Sequence, residues 1–167
     1  MKKLLYLTFL PAIFRMMFIF GFSKDDGNTS SSLSLTITQK IVDIIEYNRE
    51  YTEDEYNALV EKLHTPVRKA AHMAEYAVLV ILIYIPFMIN VYVQNIRIRK
   101  RKQIFFATFI ICVIYSITDE IHQLFVPGRT GKASDVLVDS IGGLCGLLFL
   151  LCIHKLADRK VVRKGKK

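Results

Sequence analysis

Four stretches of this chain are long and apolar enough to cross a lipid bilayer, and no other feature constrains its fold as tightly. A helix needs about 20 residues to span the hydrocarbon core. Backbone polar groups in lipid must be satisfied internally, which leaves only helices and closed barrels. The stretches run from Leu4 to Phe22, from about Ala70 to Val93, from Gln103 to about His122 and from Val136 to His154. They predict an all-α, polytopic membrane protein built as a bundle of four transmembrane helices. The hydrophobic share of 52% exceeds the soluble norm and excludes disorder, while 8 Gly and 4 Pro exclude collagen-like or low-complexity architecture. Three Cys make no disulfide framework. Cys112, Cys145 and Cys152 fall within spans, where they serve most simply as small hydrophobes. The first stretch comes after Lys2 and Lys3 as a signal peptide would, but it is long and no small-x-small cleavage site follows Gly21. It is read as a retained signal anchor.

Charge sets the orientation. The formal net charge is +8, and a basic chain can meet nucleic acid or anionic membrane. Lys2 and Lys3 precede the first span. Arg97, Arg99, Lys100, Arg101 and Lys102 link the second and third, and seven Lys or Arg between Lys155 and Lys167 come after the fourth. Fourteen of the 23 basic residues thus fall on one side, with Asp158 as their acidic company. The positive-inside rule places both termini in the cytoplasm and residues 23–69 and 123–135 outside. Anionic lipid headgroups account for these basic runs, so membrane lipids are the expected partners and nucleic acid is not.

The chain divides accordingly into a first transmembrane helix (residues 1–22), an extracytoplasmic segment (23–65), a core with three transmembrane helices (66–154) and a basic cytoplasmic tail (155–167). In the outer segment, Ser23 to Thr38 is rich in Ser, Thr, Asp and Gly and reads as a mobile loop. Ile37, Ile41, Ile44 and Ile45 then recur at helical spacing and predict an amphipathic helix. Thr52 with Glu55 forms a capping box for a second one, ahead of Tyr56, Leu59, Val60 and Leu63. These helices lie on the membrane, cover the outer mouth of the bundle, or form a surface hairpin with no role beyond packing. His64 falls in a loop, and Thr65-Pro66 suits an N-cap with proline at the first helical position.

Polar groups inside membrane spans are expensive, and each needs an account. Span two carries His72 and Glu75, three apart on one face. Span three ends in Tyr115, Asp119, Glu120, His122 and Gln123, with Glu120 about 100° round from Asp119. Span four opens with Asp135 and Asp139. At 1.5 Å per residue, Glu75, Asp119 and Asp139 all fall roughly 5–8 Å below the outer hydrocarbon edge. Pro127-Gly128 suits a tight turn after span three, and Ser134 or Asp135 an N-cap for span four. Arg68, Lys69, Arg129 and Lys132 are basic against the orientation rule, placed to neutralise nearby acids or to meet an anionic group. Arg15, mid-span, requires a partner or a watered cavity. Gly142 and Gly146 share a face with Asp139 and predict close helix approach. His122 and His154, at span ends, read as interfacial residues, and Tyr76 and Tyr115 read equally well as interface anchors or as site residues.

Arg68-Lys-x-x-His72-x-x-Glu75-Tyr76, Asp119-Glu-x-x-Gln123-x-Phe125-x-Pro-Gly-Arg129 and Asp135-x-x-x-Asp139-x-x-Gly142-x-x-x-Gly146 together resemble the VanZ-like membrane proteins, over roughly residues 66–150. The resemblance implies a multi-pass protein of the bacterial cell membrane that contributes to tolerance of the glycopeptide teicoplanin. Members often carry Asn where this chain has Asp139, which makes the present cluster more negative.

The cluster supports two functional classes. As an enzyme, the protein would use Glu75, Asp119, Glu120 and His72 as catalytic acids and bases. Arg68, Lys69, Tyr115, Gln123, Arg129, Asp135 and Asp139 would hold the substrate, an amphipathic, lipid-linked or peptidoglycan-related component of the envelope. As a binding protein or membrane scaffold, it would use the same cluster to recognise an envelope partner without chemistry. A small transporter is the weaker third reading, since four spans without an internal repeat are few unless an oligomer supplies more. No His-Glu-x-x-His pattern is present, and neither metal nor cofactor is expected. The structural alternative is that these groups are only ion pairs and caps. Against it, buried pairs often merely break even in stability.

Overall fold

The computed structural model describes residues 6–24, 27–45, 52–93 and 101–164, and all of its long elements are helices. They are α1 (Leu10–Lys24), α2 (Gly27–Ile45), α3 (Glu53–Val93), α4 (Arg101–Gln123) and α5 (Ala133–Lys164). Lys2, Lys3, the start of the first predicted span at Leu4, and Arg97, Arg99, Lys100, Lys166 and Lys167 of the basic clusters lie outside the described residues.

Three helices are long and apolar enough to cross a membrane: α3, α4 from Lys102 and α5 as far as Leu156. Their outward faces are apolar where a soluble protein would be polar. Ile110, Ile114, Ile117 and Ile121 form an exposed stripe along α4, and Leu137, Ile141, Leu144, Leu148 and Leu151 form another along α5. The alternating steps of three and four are those of a single helix face, and lipid is the solvent that suits them. Apolar α1 has 15 residues, fewer than a full crossing needs.

The capping box forms as expected. Thr52 N donates to Glu55 Oε2 at 3.1 Å, and Glu55 N donates to Thr52 Oγ1 at 3.3 Å. The helix it opens is longer than the sequence pattern predicts. Helix α3 runs unbroken for 41 residues with Pro66 and Pro86 inside it. Thr65 and Pro66 are therefore not a helix start, and His64 belongs to a helix rather than a loop. Each proline forgoes one hydrogen bond, to the carbonyl of Lys62 or Leu82, and the packing of this long helix outweighs that loss. The Ser-rich stretch is likewise not a loop from Gly27 onward, because it opens α2. Two of its hydroxyls bond within the helix, Thr36 donating to Ser32 O at 3.0 Å and Thr38 to Ser34 O at 2.8 Å. Thr38 and Val42 are buried, and α2 packs on α3, with Tyr56 donating to Asp43 at 2.9 Å.

The core lies among α3, α4 and α5, with α1 against its side. Tyr76, Leu79, Val80, Ile83 and Tyr84 of α3 meet Cys112 of α4, Leu147 and Leu150 of α5 and Ile19 of α1. Contact between α3 and α5 is the most extensive in the molecule, and small residues allow it. A Cβ on Gly142 would strike the backbone of Met73, one on Gly146 would lie 2.5 Å from the Ala77 carbonyl oxygen, and one on Gly143 would lie 2.9 Å from Cys112 Sγ.

After α4 the chain reverses through a type II turn. Gly128 has φ 76°, and Arg129 N donates to Val126 O at 3.1 Å. Asp135 N and Val136 N donate to Lys132 O at 2.9 and 3.4 Å, so Lys132 occupies the cap position of α5. Ser134 and Asp135 sit in the first turn instead of capping it.

Candidate functional site

At the α4–α5 turn end of the bundle, three helices bring their polar faces together. His72, Glu75 and Tyr76 come from α3; Ser116, Asp119 and Gln123 from α4; Asp139 from α5. Their spacings of three and four residues keep each set on one face, and the glycine contact between α3 and α5 brings Asp139 up to His72. The His72 Nδ1 to Asp139 Oδ1 distance is 3.8 Å. Ser116 Oγ donates to Asp139 Oδ2 at 2.7 Å. Gln123 Nε2 donates to both Asp119 Oδ2 and Glu120 Oε1 at 3.2 Å, so one amide holds two carboxylates whose directions differ on the helix.

Charge compensation is thin. Arg15 of α1 places Nη2 4.0 Å from Glu75 Oε1 and its guanidinium 5.2 Å from the Phe18 ring centre, which supplies the partner its mid-helix position required. Asp119 and Asp139 are 3% and 1% exposed. Among the described residues, Asp119 Oδ1, Asp139 Oδ1, Tyr76 OH and Ser23 Oγ are buried without a well-formed hydrogen bond, although Ser23 stands against Asp119 and Ser116 against Tyr76. Four such oxygens in one cluster are unusual, because buried polar groups are normally satisfied. Tyr76 is thus a wholly buried residue of this cluster and not an interfacial anchor.

Two cavities flank the cluster. The first, about 360 Å³, is lined by Arg68, Lys69, Arg129 and Lys132 together with Asp135 and Asp139. The second, about 230 Å³, has Glu75, Asp119 and Gln123 on one side and Phe18, Phe22 and Ile37 on another. Arg68, His72 and Arg129 line both. Arg129 also donates to Phe22 O at 2.5 Å, tying the turn to the end of α1.

The remaining expected site residues lie apart from these cavities. Glu120 lines neither one: its carboxylate accepts Lys132 N at 2.8 Å and Gln123, which holds the α4–α5 connection down on α4. Tyr115 turns to α1 and donates to Met16 O at 2.5 Å. Its neighbour Ser116 is the site residue the sequence concealed, since a serine within an apolar span carries no signal until its partner is known. Ser23, against Asp119, is a second, and His64, bonded to Ser34 at 2.6 Å, lines the first cavity. His154 and His122 are not simple interfacial residues. His154 Nε2 pairs with Tyr84 OH at 2.9 Å, and His122 stacks on Phe20 with ring centres 4.1 Å apart. Among the described residues no group of three or more His, Cys, Asp or Glu is placed to hold a metal ion.

In chemical terms the site offers buried carboxylates able to give or accept a proton, beside a cationic cavity able to hold an anion. No curated protein and no solved structure matches this chain. The family model described as VanZ/LLP1 matches residues 5–154, which takes in α1 to α4, α5 as far as His154 and every residue of the site. The chain belongs to the VanZ/LLP1 family.

Proposed function

We propose that this protein works at the outer leaflet of a bacterial cell membrane, where it receives a polar part of a cell-envelope component between α3, α4 and α5. Teicoplanin tolerance would result from altering or shielding that component. In this reading the stretch from Leu4 to Phe22 is a fourth span, both termini are cytoplasmic, and the α4–α5 turn faces outward. One observation carries the proposal: the carboxylates of Asp119 and Asp139 are buried beside two cavities, and neither forms an ion pair with Arg or Lys among the described residues. Stability alone gives no reason to retain uncompensated carboxylates there. Asp119, Glu75 and His72 supply acid–base capacity around the second cavity, and Arg68 and Arg129 orient the bound group from the first.

The test is a set of isosteric amides in a strain whose teicoplanin susceptibility depends on the protein. Glu75→Gln, Asp119→Asn and Glu120→Gln are made singly, with membrane protein levels measured alongside. Proton transfer predicts that Glu75→Gln and Asp119→Asn abolish the phenotype at normal abundance, whereas recognition alone predicts graded losses. Wild-type behaviour of all three would refute the site.

A further inference from the structure

The two cavities differ in character and meet at the same residues. In the first, four side chains that carry full positive charge, Arg68, Lys69, Arg129 and Lys132, face two acids, Asp135 and Asp139. Arg68, Lys69 and Lys132 form no salt bridge among the described residues. Positive charge is thus in excess there, on basic residues close to a membrane span. In the second cavity, Phe18, Ile19 and Phe22 of α1 face Leu33 and Ile37 of α2, making an apolar passage between two helices. Arg68 and Arg129 stand at the border of both spaces.

A ligand that fills this pair has an anionic head and an apolar chain. Guanidinium groups match phosphate oxygens in a bidentate manner, and the apolar side of the second cavity, formed by Phe18, Phe22 and Ile37, suits a hydrocarbon tail. A soluble anion would leave the second cavity unused, and a neutral lipid would leave the cationic one uncompensated. We propose that the site binds a phosphate-headed amphiphile, with the phosphate between Arg68 and Arg129 and the chain along Phe18, Phe22 and Ile37. This rests on the reading of the site given above and narrows its substrate class.

The full-length protein in nonionic micelles is titrated with dodecyl phosphate, dodecanol and inorganic phosphate, with calorimetry as the readout. Dodecyl phosphate should bind at least about tenfold more tightly than either of the others, since it alone satisfies both cavities. Arg68→Gln and Arg129→Gln should each weaken it by about tenfold or more. Ile37→Asn should weaken dodecyl phosphate while leaving inorganic phosphate unchanged. Arg129 also anchors Phe22, so thermal unfolding is followed for each variant, and Lys69→Gln provides a second cavity variant, with a smaller loss expected. Equal binding of inorganic phosphate would overturn the proposal in favour of a free-phosphate site. Equal binding of dodecanol would remove the anionic head, and undiminished binding by folded Arg68→Gln and Arg129→Gln proteins would remove the location. Should binding fail while the amide variants still abolish tolerance, the outer-leaflet reading stands with another component. Should the amide variants be silent while dodecyl phosphate binds, this site stands without that reading.

Discussion

His72 of α3 and Asp139 of α5 face each other at 3.8 Å across a helix contact that leaves no room for a side chain at Gly142. The ion-pair distance and the helix separation are therefore one quantity. A methyl group on Gly142 must push α5 away from the Met73 backbone, and Asp139, one turn away, moves with it. Gly142→Ala should lower stability by about 1–3 kcal/mol, the usual range for overpacking, and weaken any function of the site. Thermal unfolding in micelles checks this against Gly21→Ala, whose Cβ would meet nothing within 4 Å. That control should be neutral or stabilising by up to about 1 kcal/mol.

Asp139 depends on Ser116 in a way that separates charge from shape. Ser116→Ala removes a hydrogen bond to a buried carboxylate and should destabilise by roughly 1.5–3 kcal/mol. Asp139→Asn keeps the shape and removes the buried charge, so it should be tolerated better. In the double variant the loss should fall short of the sum of the two, and a double-mutant cycle measures the coupling. Strict additivity would mean that the 2.7 Å bond contributes nothing.

Arg15 and Glu75 offer a compensation test within the bundle. Removing either partner leaves one charge without its counter-ion. Arg15→Met should reduce accumulation of the protein, because Glu75 then stands without its counter-ion, whereas Glu75→Gln keeps the shape and leaves Arg15 over the Phe18 ring, so that variant should accumulate normally. The combined variant should accumulate better than Arg15→Met alone, as quantitative blotting of membranes would show.

Helix α2 is the element furthest from what its composition suggests. Leu35→Pro, placed mid-helix, should cost about 3 kcal/mol if the segment is helical and almost nothing in a loop. Circular dichroism and melting of the purified protein distinguish the two.

The topology has an independent check. A reporter active only in the cytoplasm, fused after Lys167, should be active, and a silent fusion at normal abundance would invert the bundle.

Local and periodic features were the ones legible in the sequence. The Thr52–Glu55 box, the Pro127-Gly128 turn and the Gly142–Gly146 step are each set by neighbours a few residues away, and each appears as its spacing requires. The apolar periods of α4 and α5 likewise announce their lipid-facing stripes. The misreadings have one cause, which is tertiary contact overriding local preference. Serines favour loops when nothing else holds the chain, but Leu33 and Ile37 face a cavity shared with α1 and α3 while Thr38 and Val42 are buried, and that packing makes helix of a Ser-rich run. Pro66 marks a helix start unless both flanks are held, as they are in α3 by α2 at Tyr56 and His64 and by α5 at Met73 and Ala77. Ser116 and Ser23 stayed hidden because their importance lies wholly in partners on other helices.

The unbroken course of α3 has a mechanical consequence. At 1.5 Å per residue, 41 residues extend about 60 Å, twice the thickness of a bilayer's hydrocarbon core. A helix that crosses such a core upright leaves about half its length outside the core, and here α2 is held to the first part of the helix through Asp43–Tyr56 and Ser34–His64. His72 and Glu75 lie on the same shaft, four to five turns beyond Tyr56. Because the helix is continuous, a tilt of its Glu53 end would turn His72 and Glu75 with it.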